Sequence, residues 1–199
     1  MTVHSFSSAA GAAAPLTRAR VSGSLPVWSL SLGCPKNRVD TEHLLGSLGM
    51  PVHSVEHMGR ARLVFINTCG FIEPAVRESI RSILDAVERL GRCKRRPLLA
   101  VAGCMVGRYG VKDLAADLPE VDLWLPTGEL ENWPVMVREA LGLPAAPAAP
   151  GRLLSTGPSY AWLKVGEGCR HKCAFCTIPS IRGPLRSVPA ADQREEARG

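Results

Sequence analysis

Four short apolar runs alternate with helical patterns in this chain, and that alternation restricts the fold more than any other feature. The runs are VWSLSLG (27–33), RLVFINT (62–68), LLAVAGC (98–104) and VDLWLP (121–126). Between the second and third runs, apolar residues recur every three or four positions over 72–90, as on an amphipathic helix. Strands that alternate with helices form βαβ units and a mainly parallel sheet. We therefore predict an α/β fold whose sheet is flanked by helices.

Changes in composition predict how the chain divides into units. Residues 1–24 are rich in Ser, Ala and Gly and contain no acid, so a disordered tail is expected, with an organelle transit peptide as the alternative. Residues 25–141 are expected to form the first domain. Residues 142–158 are dense in Pro, Ala and Gly, which is typical of a linker. Residues 159–199 begin a second unit, and its first strand is predicted at YAWLKV (160–165).

The overall composition is that of a globular protein, with 46% hydrophobic and 21% charged residues. No apolar run approaches the ~20 residues that a membrane-spanning helix needs, so we expect no membrane partner and a cytoplasmic location. The net charge of +6 is compatible with a partner rich in RNA, such as the ribosome. It is equally compatible with an Arg-rich surface that binds nothing in particular.

Seven cysteines are present, and an odd number argues against a closed set of disulfides. Cys34, Cys69 and Cys104, the first cysteine group, each lie where a predicted strand ends, and they are 35 residues apart. Any one of them alone would be taken for a buried core cysteine. The carboxyl ends of parallel strands share one edge, where ligands bind, so three such cysteines are expected to converge there. Cys93 follows the predicted helix and is expected to lie apart.

A second cysteine group, Cys169, Cys173 and Cys176, has the spacing Cys-x3-Cys-x2-Cys and follows the strand predicted at 160–165. Zinc sites normally offer four protein ligands, and no matching second pair follows here. A cubane iron–sulfur cluster also takes four ligands, normally thiolates, so three cysteines leave one iron open. The spacing resembles that of the radical-SAM superfamily, and Phe175 matches the aromatic residue usual before its last cysteine.

The order of the two cysteine groups resembles the radical-SAM methylthiotransferases. That resemblance implies two 4Fe-4S clusters, one on each group, with S-adenosyl-L-methionine bound to the open iron of the second group. It implies that an electron from this cluster cleaves the sulfonium to give a 5′-deoxyadenosyl radical, which abstracts a hydrogen from the substrate. The cluster on Cys34, Cys69 and Cys104 is implied to hold the sulfur that is then inserted. An electron donor is implied as a partner.

Two branches of this family differ around the first cysteine. SLGCPKNRVDTEHLLGSL and CAFCTIPSIRGPLRS resemble the branch that modifies an aspartate of small-subunit ribosomal protein twelve. The branch that modifies adenosine in tRNA more typically has a polar residue and Met where this chain has Pro35 and Lys36. The resemblance therefore implies a ribosomal small-subunit protein as substrate. Family members continue through a partial (β/α) barrel and a small β-barrel domain, so residues 159–199 are expected to be only the beginning of the radical-SAM domain.

Two non-enzymatic alternatives remain open. A two-cluster electron carrier would need a fourth cysteine for each cluster, and a zinc module would need four ligands for each site. Among other residues, Trp124 and Trp133 are predicted to be core, and His171 a loop residue. Arg182 and Arg186 either approach a carboxylate of substrate or cofactor or belong to a solvated loop.

Overall fold

A five-stranded parallel sheet forms the centre of the structure. The computed structural model describes residues 23–145, 151–157, 159–171 and 173–198. The strands are β1 (Leu25–Ser31), β2 (Val52–Ser54), β3 (Leu63–Thr68), β4 (Leu98–Gly103) and β5 (Leu123–Leu125). Their order in the sheet is β2-β1-β3-β4-β5, and every pair is parallel. The predicted α/β fold is therefore confirmed.

Helices cover both faces of this sheet. Those that pack on it are α1 (Pro35–Gly46), α2 (Glu73–Gly91), α3 (Cys104–Tyr109), α4 (Val111–Asp117) and α5 (Trp133–Ala140). Two further helices, α6 (Ile178–Arg182) and α7 (Ala190–Glu196), follow later in the chain. Short 3-10 turns span Met58–Arg60 and Thr127–Asn132. The strand β2 lies on one side of β1 and β3 on the other, so the direction of winding reverses between β1 and β3. In open α/β sheets such a reversal leaves a crevice at the carboxyl ends of the strands.

Alternate residues of β3, the central strand, face two separate hydrophobic cores. Val64 and Ile66 pack with α2, α3 and α4 on one face. Leu63 and Phe65 pack with α1 and α5 on the other face, where the Phe65 and Trp133 rings meet edge to face. Trp124 and Trp133 are both buried, so their predicted place in the core is confirmed. Within the described residues, no helix is long and apolar enough to cross a membrane.

The amphipathic helix predicted at 72–90 is found one residue later, with Pro74 in its first turn. Its inward face includes Val76, Ile83 and Leu90, as predicted. Ile80 is partly exposed, and the neighbouring Ser79 is fully buried in its place. The polar Ser79 is buried because its hydroxyl bonds to the main chain of Cys69, as described below.

The strand predicted at 160–165 is wrong. Across the described residues 159–165 the chain forms no strand; the two-residue strand β6 (Gly166–Glu167) follows and pairs antiparallel with β7 (Arg186–Ser187). Among the described residues, no strand pairs with 160–165 to take up its backbone groups, and an unpaired strand is not stable. The tail predicted at 1–24 lies almost wholly outside the described residues, as does the Pro- and Ala-rich centre of the predicted linker.

Candidate metal centre

The first cysteine group lies at the carboxyl ends of three neighbouring strands. Cys34 caps the amino end of α1, shortly after β1 ends. Cys69 directly follows β3, and Cys104 directly follows β4 as the first residue of α3. Adjacent strands are about 4.8 Å apart. All three cysteines therefore meet at one edge of the sheet, beside the reversal between β1 and β3.

Two glycines allow the main chain to come close to these cysteines. Gly33 has a φ of +84°, and a Cβ atom there would lie 2.7 Å from Cβ and 2.8 Å from Sγ of Cys69. Gly103 has a φ of +102°, and a Cβ atom there would lie 2.3 Å from the carbonyl oxygen of Thr68. Both positions combine a left-handed backbone with contact to a neighbouring strand end, so only glycine fits. Close packing at the site therefore requires glycine directly before Cys34 and directly before Cys104.

The three thiols of the group differ in their access to solvent. Cys34 is exposed, Cys69 is half-buried and Cys104 is buried, and all three are free thiols. Burial raises the pKa of the Cys104 thiol, while the positive charge of Arg182 opposes that rise. Negative charge on Cys69 and Cys34 adds to it. Cys93 lies elsewhere, near Gly59 and the carbonyl of Arg89.

Asn37, one turn into α1, ties the strand ends together. Its Nδ2 donates to the carbonyl oxygens of Leu32 and Thr68, at 2.8 and 2.9 Å. Its Oδ1 lies 3.8 Å from Sγ of Cys104. The side chain of Asn67 in turn donates to the Asn37 carbonyl at 2.8 Å. The amide of Asn37 therefore fixes the ends of β1 and β3 relative to Cys104.

The second cysteine group lies in the loop between β6 and α6. The Cys169 N–H donates to the Gly183 carbonyl at 3.2 Å, which closes the loop at its base. The Cys176 N–H donates to the Cys173 carbonyl at 3.1 Å. Cys173 is exposed, whereas Cys169 and Cys176 are half-buried. The structure therefore places this group on a short antiparallel pair at the protein surface.

A buried network of charges joins the segment that carries the second group to α1. Arg182 Nη1 donates to Asp40 Oδ2 at 2.8 Å and to Glu167 Oε2 at 3.0 Å. Lys164 pairs with the same two carboxylates, and Lys36 approaches Glu167 at 3.5 Å. The Asp40 side chain is fully buried, and that of Arg182 is 3% exposed. Buried charges of this kind persist only when they are paired, so the two segments are held together at this point.

The charges in this network shift one another's pKa values. Burial alone would raise the pKa of Glu167, but Arg182 and Lys164 outweigh burial and lower it to about 2. Burial would lower the pKa of Arg182, but Asp40, Cys104 and Glu167 outweigh burial and raise it. Both groups are therefore charged at neutral pH.

The three cysteines of the first group have the donor chemistry of iron–sulfur cluster ligands. In the described ranges, no three Cys, His, Asp or Glu side chains are already arranged as ligands of one metal ion. At this edge of the sheet lie three free thiols, and Gly33 and Gly103 let the main chain pass close to them. Thiolates are the usual ligands of iron–sulfur clusters. A cubane on three thiols retains one iron for a further ligand.

Sequence reasoning did not identify the polar residues that support the site. Asn37 and Asp40 follow Cys34 at intervals of three, which puts all three on one side of a helix start. Glu167 and Ser79 carried no such signal. The sequence allows Arg182 and Arg186 either to approach a carboxylate or to belong to a solvated loop; the structure buries Arg182 and exposes Arg186. One sequence signal for these residues exists: apolar residues show little periodicity in α1, which indicates that its buried face includes polar residues.

Sequence comparison places the chain in a family. Residues 27–126, which contain nearly all of the sheet and the whole first cysteine group, match the profile described as Uncharacterized protein family UPF0004. The chain belongs to this family. The match ends before the second cysteine group, so the family profile bears only on the first unit.

Curated relatives extend the likeness beyond that region. Over 174 residues the chain is 64% identical to a protein of Nitratidesulfovibrio vulgaris named ribosomal protein uS12 methylthiotransferase RimO, covering 87% of this chain and 40% of the relative. Proteins of the same name from Oleidesulfovibrio alaskensis and Lawsonia intracellularis are 62% and 50% identical, over 87% and 89% of this chain and 40% of each relative. The chain thus spans about 40% of the length of these relatives. The predicted resemblance to methylthiotransferases is confirmed.

Proposed function

We propose that this chain is the N-terminal part of a methylthiotransferase that modifies an aspartate of ribosomal protein uS12 in the cytoplasm. The observation that carries the proposal is the convergence of Cys34, Cys69 and Cys104 at one edge of the sheet, beside the segment of a second cysteine group. The names of relatives that are 50–64% identical support the reaction and the substrate.

In this proposal each cysteine group holds one 4Fe-4S cluster. Cys169, Cys173 and Cys176 hold the cluster that binds S-adenosyl-L-methionine, and the first group holds the other. With an external electron donor, these cofactors supply radical chemistry and the sulfur that is added to the substrate. Two observations support these ligand assignments: all six cysteines are free thiols, and neither triplet has a fourth cysteine beside it in the sequence, so one iron of each cluster would stay open.

The chain's own residues prepare the first site for this chemistry. Ser79 and Asn37 hold the main chain around Cys69 and the strand ends. Cys104 is buried, whereas Cys34 is exposed to solvent. Thiols with unequal exposure allow a bound cluster to be shielded at one corner and reached at another.

The domain division is part of the same proposal. Residues 25–141 form the cluster-binding domain of the family, residues 142–158 connect it to the next unit, and residues 159–199 begin the radical-SAM domain. The charge network of Asp40 and Arg182 holds the second of these units against the first.

Metal analysis distinguishes this proposal from the non-enzymatic alternatives. After anaerobic reconstitution we expect about four iron and four sulfide per cluster, hence about eight of each per chain. Zinc without acid-labile sulfide would favour a zinc module. Clusters that bind neither S-adenosyl-L-methionine nor any other ligand at an open iron would favour an electron carrier.

The substrate is tested with a full-length relative, expressed in cells that lack their own enzyme. Mass spectrometry of uS12 and of tRNA from the same cells would show which one gains a methylthio group. We expect the group on uS12 only. A methylthio group on tRNA adenosine with unmodified uS12 would place the chain in the other branch.

A further inference from the structure

Arg182 lies on the segment that follows the second cysteine group, and its guanidinium contacts the first group. Its Nε lies 3.3 Å from Sγ of Cys104, within hydrogen-bond distance for a sulfur acceptor. Nη1 donates to Asp40 and Glu167, and Nη2 donates to Oδ1 of Asn37 at 2.5 Å. Every nitrogen of the planar fork therefore has an acceptor, and the Nε–H is the donor that faces the sulfur.

The position of Arg182 in the chain makes this contact unusual. Arg182 ends α6, six residues after Cys176, yet it is 78 residues from Cys104. Arg182 is 6% exposed and Cys104 is 7% exposed, so the contact is shielded from water. A hydrogen bond to a thiolate in such surroundings is stronger than one in solvent.

We propose that Arg182 is a positioning residue of the first cysteine site, whose Nε–H···S hydrogen bond to Cys104 raises the reduction potential of the cluster held there. This inference rests on the proposed function, because it requires a cluster on Cys104. Hydrogen bonds to the sulfur atoms and nearby charge are both known to set cluster potentials. The segment that carries one cysteine group thereby tunes the cluster bound to the other.

The Arg182→Lys substitution distinguishes the effect of the hydrogen bond from the effect of the positive charge. Lysine keeps the positive charge beside Asp40 and Glu167, but its ammonium lacks the planar fork that serves four acceptors at once. Arg186 provides the matched control, because it is exposed and lies four residues further along the same segment. We would make Arg182→Lys, Arg182→Gln and Arg186→Lys in a 199-residue chain that also carries Cys169→Ala, Cys173→Ala and Cys176→Ala, so that only the first site can be loaded.

Two readouts test the bond itself. Pulsed EPR on the reduced cluster, in protein labelled with 15N at the arginine Nε, should detect a nitrogen coupling that Arg182→Lys removes and Arg186→Lys keeps. Redox titration should show a more negative midpoint potential in Arg182→Lys and a larger shift in Arg182→Gln. We expect at least a tenfold fall in the ratio of reduced to oxidised cluster at a fixed potential, which is about 59 mV for one electron.

Loss of the charge is not expected to unfold the Arg182→Gln chain, because Lys164 still pairs with Asp40 and Glu167. The inference is overturned if the parent chain binds a cluster that shows no nitrogen coupling, or if Arg182→Lys and Arg186→Lys have the same potential. Absence of any cluster in the parent chain is a different result, since it overturns the proposed function and the inference together.

Discussion

At the scale of single residues, Ser79 holds the main chain of Cys69 from both sides. Its hydroxyl accepts from the Cys69 N–H at 3.1 Å and donates to the Cys69 carbonyl at 2.9 Å. Ser79 is fully buried on the apolar face of α2. A polar residue on such a face is stable only when its hydroxyl is satisfied, so the helix and the cysteine loop depend on each other.

Ser79→Ala should lower the free energy of unfolding by about 1–3 kcal/mol, because the two Cys69 main-chain groups lose their partner in a buried place. Ser82→Ala is the matched control on the same helix, where the hydroxyl bonds to the Glu78 carbonyl one turn earlier. That change should stay within about 0.5 kcal/mol. Urea unfolding of the two variants measures the difference, and equal effects would show that Ser79 does not support the loop.

Glu42 is a second buried carboxylate of α1, with a side chain that is 1% exposed. It accepts from Arg152 at 2.6 and 2.9 Å, and from the N–H and hydroxyl of Ser155 at 2.8 and 2.5 Å. Burial alone would raise the pKa of Glu42, but the bonds from Ser155 and Arg152 outweigh burial and lower it. The described end of the predicted linker is therefore fastened to the first unit.

The lowered pKa of Glu42 predicts how stability depends on pH. Its contribution is fully present above the unfolded-state pKa, roughly 4.3, and is lost as the pH falls through the lower folded-state pKa. Glu42→Gln should therefore lower the free energy of unfolding at pH 7 by about 1.5–3 kcal/mol, and the difference from wild type should shrink below pH 4.

Urea titrations of wild type and Glu42→Gln between pH 7 and pH 3 measure that convergence. Glu139→Gln, at an exposed position on α5, controls for the loss of one negative charge. A Glu42→Gln difference that stays constant down to pH 3 would mean that the carboxylate charge does not contribute.

At the scale of secondary-structure elements, α1 is the helix on which the other parts of the site converge. One side of it packs on the sheet through Leu44 and Leu45. Its buried polar residues bind other parts of the site: Asn37 bonds to the end of β1, and Asp40 bonds to Arg182 of the later segment. Asp40 is the residue through which that later segment is attached, since both Arg182 and Lys164 bond to it.

Asp40→Asn should loosen the docking of α6 and β7 on α1. The amide keeps the shape of the carboxylate but loses two charge-assisted bonds, each worth about 1.5–3 kcal/mol. We expect the backbone amides of 178–188 to exchange with deuterium at least tenfold faster, because about 1.4 kcal/mol changes a local opening equilibrium tenfold. Asp85→Asn, an exposed pair on α2, is the control. Equal exchange in both variants would contradict the docking role of Asp40.

The alternation of apolar runs was enough to predict four of the five sheet strands and α2. It missed β2, because VHS (52–54) has only one apolar residue and is held by pairing with β1. It placed a strand at 160–165, because an apolar pattern does not say whether a partner strand exists. Tyr160 and Trp162 contact each other there instead, with ring centroids 6.1 Å apart.

The cysteines could be predicted and their supporting charges could not, for a physical reason. A strand end places a residue at an edge of the sheet, so its position follows from local pattern alone. The pairing of Asp40 with Arg182 joins residues 142 positions apart and depends on how two units dock. Tertiary contacts of that kind leave no periodic signal.

At the scale of the whole molecule, the segment that carries the second cysteine group is docked beside the first group through Arg182 and Glu167. The first group belongs to the region shared across the family UPF0004, and the second follows it. The contact of Arg182 with Cys104 and the pairing of Lys36 with Glu167 link the two. The proposed function depends above all on Cys34, Cys69 and Cys104 acting together as one ligand set.

Whether these three cysteines form one ligand set is measured by iron and sulfide analysis after anaerobic reconstitution of the chain that carries Cys169→Ala, Cys173→Ala and Cys176→Ala. We expect about four iron and four sulfide per chain. A further Cys69→Ala should remove most of both, and Cys93→Ala, the matched control away from the sheet edge, should change neither. Full iron and sulfide in the Cys69→Ala chain, or their loss in the Cys93→Ala chain, would contradict a single ligand set.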